Sequence, residues 1–146
     1  MTQRLLLFAL LATATACQQD ADVQPSPQTL AGEVAGTYRT NVYLDPSCVA
    51  LSANQMPYAE LHAESDSTVT LIYTKLYPNK SSQRIPNIGL GRGETDAIQL
   101  RLADSSIGTL QTDRIFMNNG MEKKGKLLRI SLQNDPQRSL YFAGFK

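Results

Sequence analysis

Two cysteines and one histidine are the side chains of this chain best suited to do chemistry. Cys17 directly follows a run of small residues at positions 12–16, and small side chains leave the backbone open to a peptidase. A thiolate is a strong nucleophile that is readily alkylated. Cys17 is therefore a nucleophile beside a stretch of backbone that a peptidase can reach.

The segment before Cys17 has the layout of a secretory signal. A short start with the basic Arg4 precedes a wholly apolar run at residues 5–11, and small residues fill the cleavage zone. A membrane-spanning helix needs about 20 apolar residues, and this run is much shorter. We therefore predict a signal peptide over residues 1–16.

The cleavage zone resembles a known processing motif. Ala14-Thr15-Ala16-Cys17 resembles the lipobox of bacterial lipoproteins, although an aliphatic residue is commoner where Ala14 stands. The resemblance implies a diacylglyceryl thioether on Cys17, cleavage before it, and attachment to a membrane through this lipid. Gln18, in place of Asp, favours the outer membrane, on its periplasmic face or at the surface. Ordinary secretion, with an unmodified Cys17, is the alternative.

The rest of the chain divides into a tether and one domain. Residues 17–29 lack an apolar period and contain two prolines, which predicts a lipidated cysteine followed by a flexible tether. Residues 30–146 have the size of a single domain. Cys48 cannot form an internal disulfide once Cys17 is alkylated, and the apolar residues after it predict burial. A short helix or lid is possible at residues 48–55.

Within the domain the hydrophobic period is two, which is typical of strands. Three runs show it clearly, at residues 68–74, 98–102 and 128–133, and turn-forming residues separate the runs. Residues 140–145 are apolar on both faces, and residues 89–93 form a glycine-rich loop or strand kink. A first strand would place on one face Tyr38, Thr40, Val42 and Leu44. We predict an all-β fold, an antiparallel meander of about seven or eight strands in a small barrel or a sandwich.

Three places in the domain are similar to lipocalins. Gly36 and Tyr38 resemble the Gly-x-Trp signature at the start of lipocalin-like barrels, with Tyr in place of Trp. The Thr-Asp pair at residues 112–113 resembles a later loop, although Arg114 stands where Tyr is usual, and Arg138 matches an arginine that packs on the aromatic ring. The resemblance implies a lipocalin-like barrel that binds a small apolar ligand in its cup.

The inward side chains of such a barrel would line the ligand cavity. The alternative is that they only fill the core, as in other small barrels. The candidate ligand-binding residues are Tyr38, Val69, Leu71, Tyr73, Ile98, Leu100, Leu128, Ile130 and Phe142.

Glu60, His62 and Glu64 share one face of a predicted strand and could in principle bind a divalent metal. Alternate residues of a strand lie almost 7 Å apart, so three such ligands do not converge without a bulge. We therefore predict a solvent-facing polar stripe, with no metal and no cofactor.

The composition argues against several other functions. No Gly-x-Ser-x-Gly motif is present and His62 is the only imidazole, so we predict a protein that is not an enzyme, without catalytic residues. Because 13 basic and 13 acidic residues follow Cys17, no nucleic acid is expected as a partner. Lys123, Lys124 and Lys126 are predicted to lie in a solvated hairpin loop.

An alternative function is a structural or inhibitor-like envelope protein that contacts a protein partner through loops such as residues 118–125.

Overall fold

The computed structural model describes residues 29–93, 95–133 and 139–146. The predicted signal peptide, Cys17, most of the tether and Arg138 lie outside the described residues. Within the described ranges, no helix is both long enough and apolar enough to cross a membrane.

One short helix precedes eight strands, which follow one another around a closed barrel. This confirms the predicted all-β meander and decides for a barrel over a sandwich. The elements are α1 Leu30–Val34, β1 Gly36–Arg39, β2 Tyr58–Ala63, β3 Thr68–Lys75, β4 Ser81–Arg92, β5 Ile98–Leu102, β6 Ser105–Phe116, β7 Glu122–Gln133 and β8 Ser139–Phe145.

Every strand pairs antiparallel with the next strand along the chain, and β1 also pairs with β8, where Arg39 lies opposite Phe145. That last pairing closes the sheet and leaves no long strand edge open to other chains. Most strands bury alternate residues, as the period of two predicts. In β5, Ile98 and Leu100 are buried, and in β8, Leu140 and Phe142 are buried.

Strand β3 departs from the predicted alternation. Val69, Thr70 and Leu71 are all buried, and the pairing with β4 shifts here: Pro86 and Asn87, which has a φ of 58°, both lie opposite Thr70. Glu64 holds this bulge: its carboxylate accepts hydrogen bonds from the Thr70 hydroxyl and, at 3.3 Å, from the Asn87 backbone N–H. The extra residue of the bulge lies in β4 and breaks the period of that strand, where Ile85 and Ile88 are both buried at a spacing of three.

The first strand is shorter than predicted. β1 ends at Arg39, and the carboxamide oxygen of Asn41 accepts hydrogen bonds from the backbone N–H groups of Tyr43 and Leu44, both at 3.1 Å. Such a turn competes with strand pairing. The prediction that one strand face continues through Val42 to Leu44 is therefore wrong.

The connection between β1 and β2 also corrects two predictions. Cys48 is exposed, with a φ of 55°, and its neighbour Val49 is exposed too, so the predicted burial of Cys48 is wrong. Turns, and no helix, occupy residues 53–55. A run of apolar residues predicts burial only inside a regular element, and this segment has none.

Two further boundaries differ from the predictions. Gly89 and Gly91 lie in β4 and pair with β5, so of the two predicted alternatives, a loop or a strand kink, the loop is wrong at these positions. Lys123, Lys124 and Lys126 belong to strand β7, and the hairpin turn lies before them, at residues 117–120. A short charged segment has a low β propensity, but these lysines pair with the long strand β6, and this pairing outweighs the propensity.

Candidate functional site

The nine candidate ligand-binding residues lie inside the barrel, but they do not surround one cavity. Eight of them are at most 4% exposed and pack together in the main core, and Tyr73 is half-buried against that core. Only Tyr73 and Phe142 also line a cleft. The other seven fill the interior, so the structure brings two of the nine to a surface that a ligand can reach.

Helix α1, which sequence analysis did not predict, covers one end of the barrel. The Thr29 side chain caps it by accepting a hydrogen bond from the Gly32 N–H at 3.0 Å, and Ala31 and Val34 are fully buried. The Ala31 N–H donates to the carbonyl of Asp66, in the β2–β3 turn, at 3.1 Å. A helix of five residues is stable only through such contacts.

Charged side chains fasten α1 to the strands. The carboxylate of Glu33 pairs with Arg92 of β4 at 2.8 Å and with Lys126 of β7 at 3.0 Å. The ammonium of Lys146 donates to the carbonyls of Glu33 and Ala35, at 3.1 and 2.5 Å. Burial, and then the charge of Lys126, lower the pKa of Lys146 to about 8, against the opposing effect of Glu33.

The pKa of Glu33 lies below its usual value, chiefly through the hydrogen bond from Lys126, although burial opposes the shift. A carboxylate with a lowered pKa stabilises the fold above its unfolded-state value and loses that stabilisation as the pH falls through its folded-state value. We expect Glu33→Gln to lower the free energy of unfolding by about 0.5–1 kcal/mol at pH 7. The difference from wild type should shrink below a pH of about 4.5, the ordinary pKa of this group.

Urea unfolding at pH 7, 4.5 and 3 measures this difference. Glu60→Gln is the matched control, because Glu60 makes no ion pair among the described residues. A difference for Glu33→Gln that stays constant over this pH range would contradict the role of the Glu33 ion pairs.

The opposite end of the barrel carries the cleft, which has a volume of about 360 Å³. Its walls come from the β1–β2 connection at residues 40–57, from the end of β3 with the turn after it, and from the start of β8. The lining residues are Thr40, Asp45, Pro46, Ser47, Leu51, Gln55, Pro57, Tyr73, Lys75, Tyr77, Ser139, Leu140, Tyr141 and Phe142.

Burial of the lining residues changes with depth. Thr40, Leu140 and Phe142 are buried and form the floor of the cleft. Lys75 and Tyr141 are exposed and form part of its rim. An apolar floor below a polar rim is typical of sites that bind small molecules.

The ring of Tyr73 forms one wall of the cleft, next to the ring of Phe142 in its floor. The rings of Tyr73 and Phe142 meet edge to face, with centroids 5.8 Å apart. Burial, and then the nearby charge of Asp45, raise the pKa of the Tyr73 phenol, so this group is neutral at physiological pH. The wall therefore offers apolar ring surface and one uncharged hydroxyl.

Thr40 has a distinct position in the floor. It is 8% exposed, and within the described ranges its Oγ1 is the buried side-chain polar atom that has no hydrogen-bond partner. Buried polar groups in proteins are nearly always hydrogen-bonded. The Thr40 oxygen has less than 1 Å² of accessible surface, so a ligand in the cleft does not reach it unless neighbouring side chains move.

The residues weighed as metal ligands stand apart from this cleft. His62 is exposed and Glu60 half-buried on β2, while Glu64 is engaged at the bulge with Thr70 and Asn87. In the part of the chain that the structure describes, no group of three His, Cys, Asp or Glu side chains could hold a metal ion.

Most of the cleft was missed by sequence analysis. Thr40, Asp45, Leu51 and Gln55 come from an irregular segment, where hydrophobic period says nothing about which side chains face inward. One signal was available: the segment between β1 and β2 is far longer than an ordinary hairpin loop, and long loops without secondary structure are usually functional.

The fold and the cleft define the chain as a small closed β-barrel of meander topology. A helix covers one end of the barrel, and the cleft opens at the other end. Comparisons with known protein families, with curated proteins and with solved structures find no match to this chain.

Proposed function

We propose that this protein is a membrane-anchored, extracytoplasmic binding module that holds a small, largely apolar ligand in the cleft. The observation that carries the proposal is the cleft itself, with its buried floor of Leu140 and Phe142 and its aromatic wall. Its position at an open barrel end agrees with the cup that the lipocalin resemblance implies.

The size of the cleft limits the ligand. Sites for drug-sized molecules have volumes of about 300–1,000 Å³, so about 360 Å³ corresponds to a compact molecule. The seven candidate residues that fill the core leave no room for a long ligand inside the barrel. The ligand would therefore lie across the barrel end, under the β1–β2 connection.

The anchor is the second part of the proposal and rests on the sequence around Cys17. A lipid on Cys17 would leave residues 18–28 as a tether, which reaches at most about 40 Å when fully extended. That reach keeps the barrel close to the membrane surface, and we favour the outer membrane.

Native mass spectrometry after incubation with a lipid and metabolite extract tests the ligand. We expect a reproducible added mass that disappears on denaturation. Leu51→Ser, which makes one wall of the cleft polar, should reduce the bound fraction severalfold. Val49→Ser is the matched control, because Val49 is exposed on the same connection and does not line the cleft. A protein without added mass in any extract would contradict the ligand proposal.

A second candidate function, contact with an envelope protein, is favoured by one surface. The exposed rings of Tyr43 and Phe116 lie with centroids 6.2 Å apart, and Val42 and Met121 are exposed as well. Apolar side chains grouped on a surface often mark a protein interface. In native mass spectra recorded after incubation with an envelope protein extract, a protein adduct that Phe116→Ser removes would favour this candidate.

A further inference from the structure

A second concave site, here called the seam groove, lies on the outside of the barrel where β1 meets β8. Tyr38 faces the core, so the next residue of β1, Arg39, faces outward, and Phe145 of β8 lies opposite Arg39 on the same face. The groove has a volume of about 670 Å³ and shares two of its lining residues with the cleft. Its lining includes Arg39, Met56, Met117, Lys123, Phe145 and Lys146.

The seam groove carries positive charge without a matching negative charge. Arg39, Lys123 and Lys146 line it, and among the described residues no Asp or Glu side chain does. Lys146 already donates to two backbone carbonyls at the end of α1. Arg39 and Lys123 are exposed, and within the described ranges neither forms an ion pair, even with the α-carboxylate of Lys146. Glu122, which precedes Lys123, pairs instead with Arg114 at 3.6 Å.

Apolar side chains line the same groove. Met56 is 7% exposed, and Met117 and Phe145 are half-buried. Methionine is unbranched and flexible, so surfaces that contain it adapt to ligands of irregular shape. These residues therefore suit a flexible alkyl chain better than a flat, rigid ring.

We propose that the seam groove binds one molecule of an anionic amphiphile, a carboxylate or phosphate monoester that carries an alkyl chain. Arg39 and Lys123 hold the anionic head, and the guanidinium of Arg39 matches the paired oxygens of such a head. The alkyl chain lies on Met56, Met117 and Phe145, where it is removed from water. This site goes beyond the proposed function, because the cleft and the seam groove do not need each other to bind.

The shape of the groove favours a single dissolved molecule over the headgroups of a bilayer. Met56 is buried and Phe145 half-buried in a concave surface, so an alkyl chain has to enter the groove to contact them. A flat bilayer surface would meet the exposed cations and leave these apolar side chains untouched.

Three probes with the same alkyl chain separate the effect of charge from that of the chain: decanoate, 1-decanol and decyltrimethylammonium. Isothermal titration calorimetry measures their dissociation constants. The protein is the whole chain carrying Cys17→Ser, so that no covalently attached acyl chain competes for the groove.

Arg39→Gln and Lys123→Gln each remove one cation from the groove, and both positions are exposed, so the variants keep the fold. Lys124→Gln is the matched control, because Lys124 is exposed on the opposite face of β7 and does not line the groove. Lys75→Gln is the control for the cleft, which Lys75 lines.

We expect decanoate to bind about tenfold more tightly than 1-decanol, the effect of two exposed charge pairs, and decyltrimethylammonium to bind the most weakly. Arg39→Gln and Lys123→Gln should each weaken decanoate about threefold to fivefold, the effect of one such pair, and leave 1-decanol unchanged. Lys124→Gln and Lys75→Gln should not change the binding of either probe.

Decanoate binding that is equal in wild type, Arg39→Gln and Lys123→Gln would overturn the inference, as would the absence of decanoate binding. If only Lys75→Gln weakens decanoate, the anion binds in the cleft, which supports the proposed function and overturns the seam groove as the site. Sedimentation with phosphatidylglycerol vesicles distinguishes the remaining source of anionic heads. If Arg39→Gln and Lys123→Gln reduce vesicle binding of a protein that does not bind dissolved decanoate, the surface contacts a membrane, and the inference is overturned.

Discussion

Tyr38→Ala is expected to lower the free energy of unfolding by about 3–5 kcal/mol, the range for truncating a large buried aromatic residue. Tyr38 is fully buried, and its hydroxyl donates a hydrogen bond of 2.6 Å to the carbonyl of Val34 in α1. Burial raises its pKa far above the ordinary value, so the phenol remains a donor at any pH of interest. The ammonium of Lys146 lies 5.1 Å from the ring centroid. One side chain thus joins the core, the helix and the end of the chain.

Urea unfolding at pH 7 measures this loss, and Tyr38→Phe is the matched control. That variant keeps the ring in the core and removes only the hydroxyl, so we expect about 1–2 kcal/mol, the effect of leaving a buried carbonyl without its donor. Equal losses for the two variants would show that the hydrogen bond, and not the packing of the ring, dominates at this position.

Cys17→Ser is expected to move the protein from the membrane fraction to the soluble fraction almost completely. Burial of acyl chains contributes about 0.8 kcal/mol per CH₂ group, so two or more chains hold a protein stably on a membrane. Serine keeps the size of the side chain but lacks the thiol that the thioether requires. Fractionation of cells that express the chain, with the mass of the N-terminal peptide, provides the measurement.

Cys48→Ser is the control for this experiment, because Cys48 is the exposed thiol of the barrel domain. It should leave the protein in the membrane fraction. A wild-type chain whose Cys17 carries no added lipid mass would refute the anchor, and the ligand proposal would then be judged on the cleft alone.

Strand content and topology could be read from the chain because they depend on local order. Alternation at residues 98–102 and 128–133, with turn residues between the runs, predicts a meander, since consecutive antiparallel strands pair with each other. The turn predicted near residues 118–120 lies where it was expected, between β6 and β7. At the Asn87 bulge an extra residue interrupts this alternation, and there the period of two no longer predicts which residues are buried.

The candidate site could be predicted from the sequence much less completely than the fold. Inward direction was predicted for Tyr73 and Phe142, and both line the cleft, but the same pattern selected seven residues that only fill the core. Alternation shows which face of a strand is inside and carries no information on depth along the barrel axis. That depth decides whether an inward-facing side chain fills the core or lines the cleft.

By itself, the amino-acid sequence determined the all-β meander and the inward face of most strands, because side-chain direction alternates along a strand whatever its partners. Only the tertiary structure decided that β1 pairs with β8 to close the barrel, that α1 covers one end, and that the β1–β2 connection folds over the other. These are contacts between residues far apart in the chain.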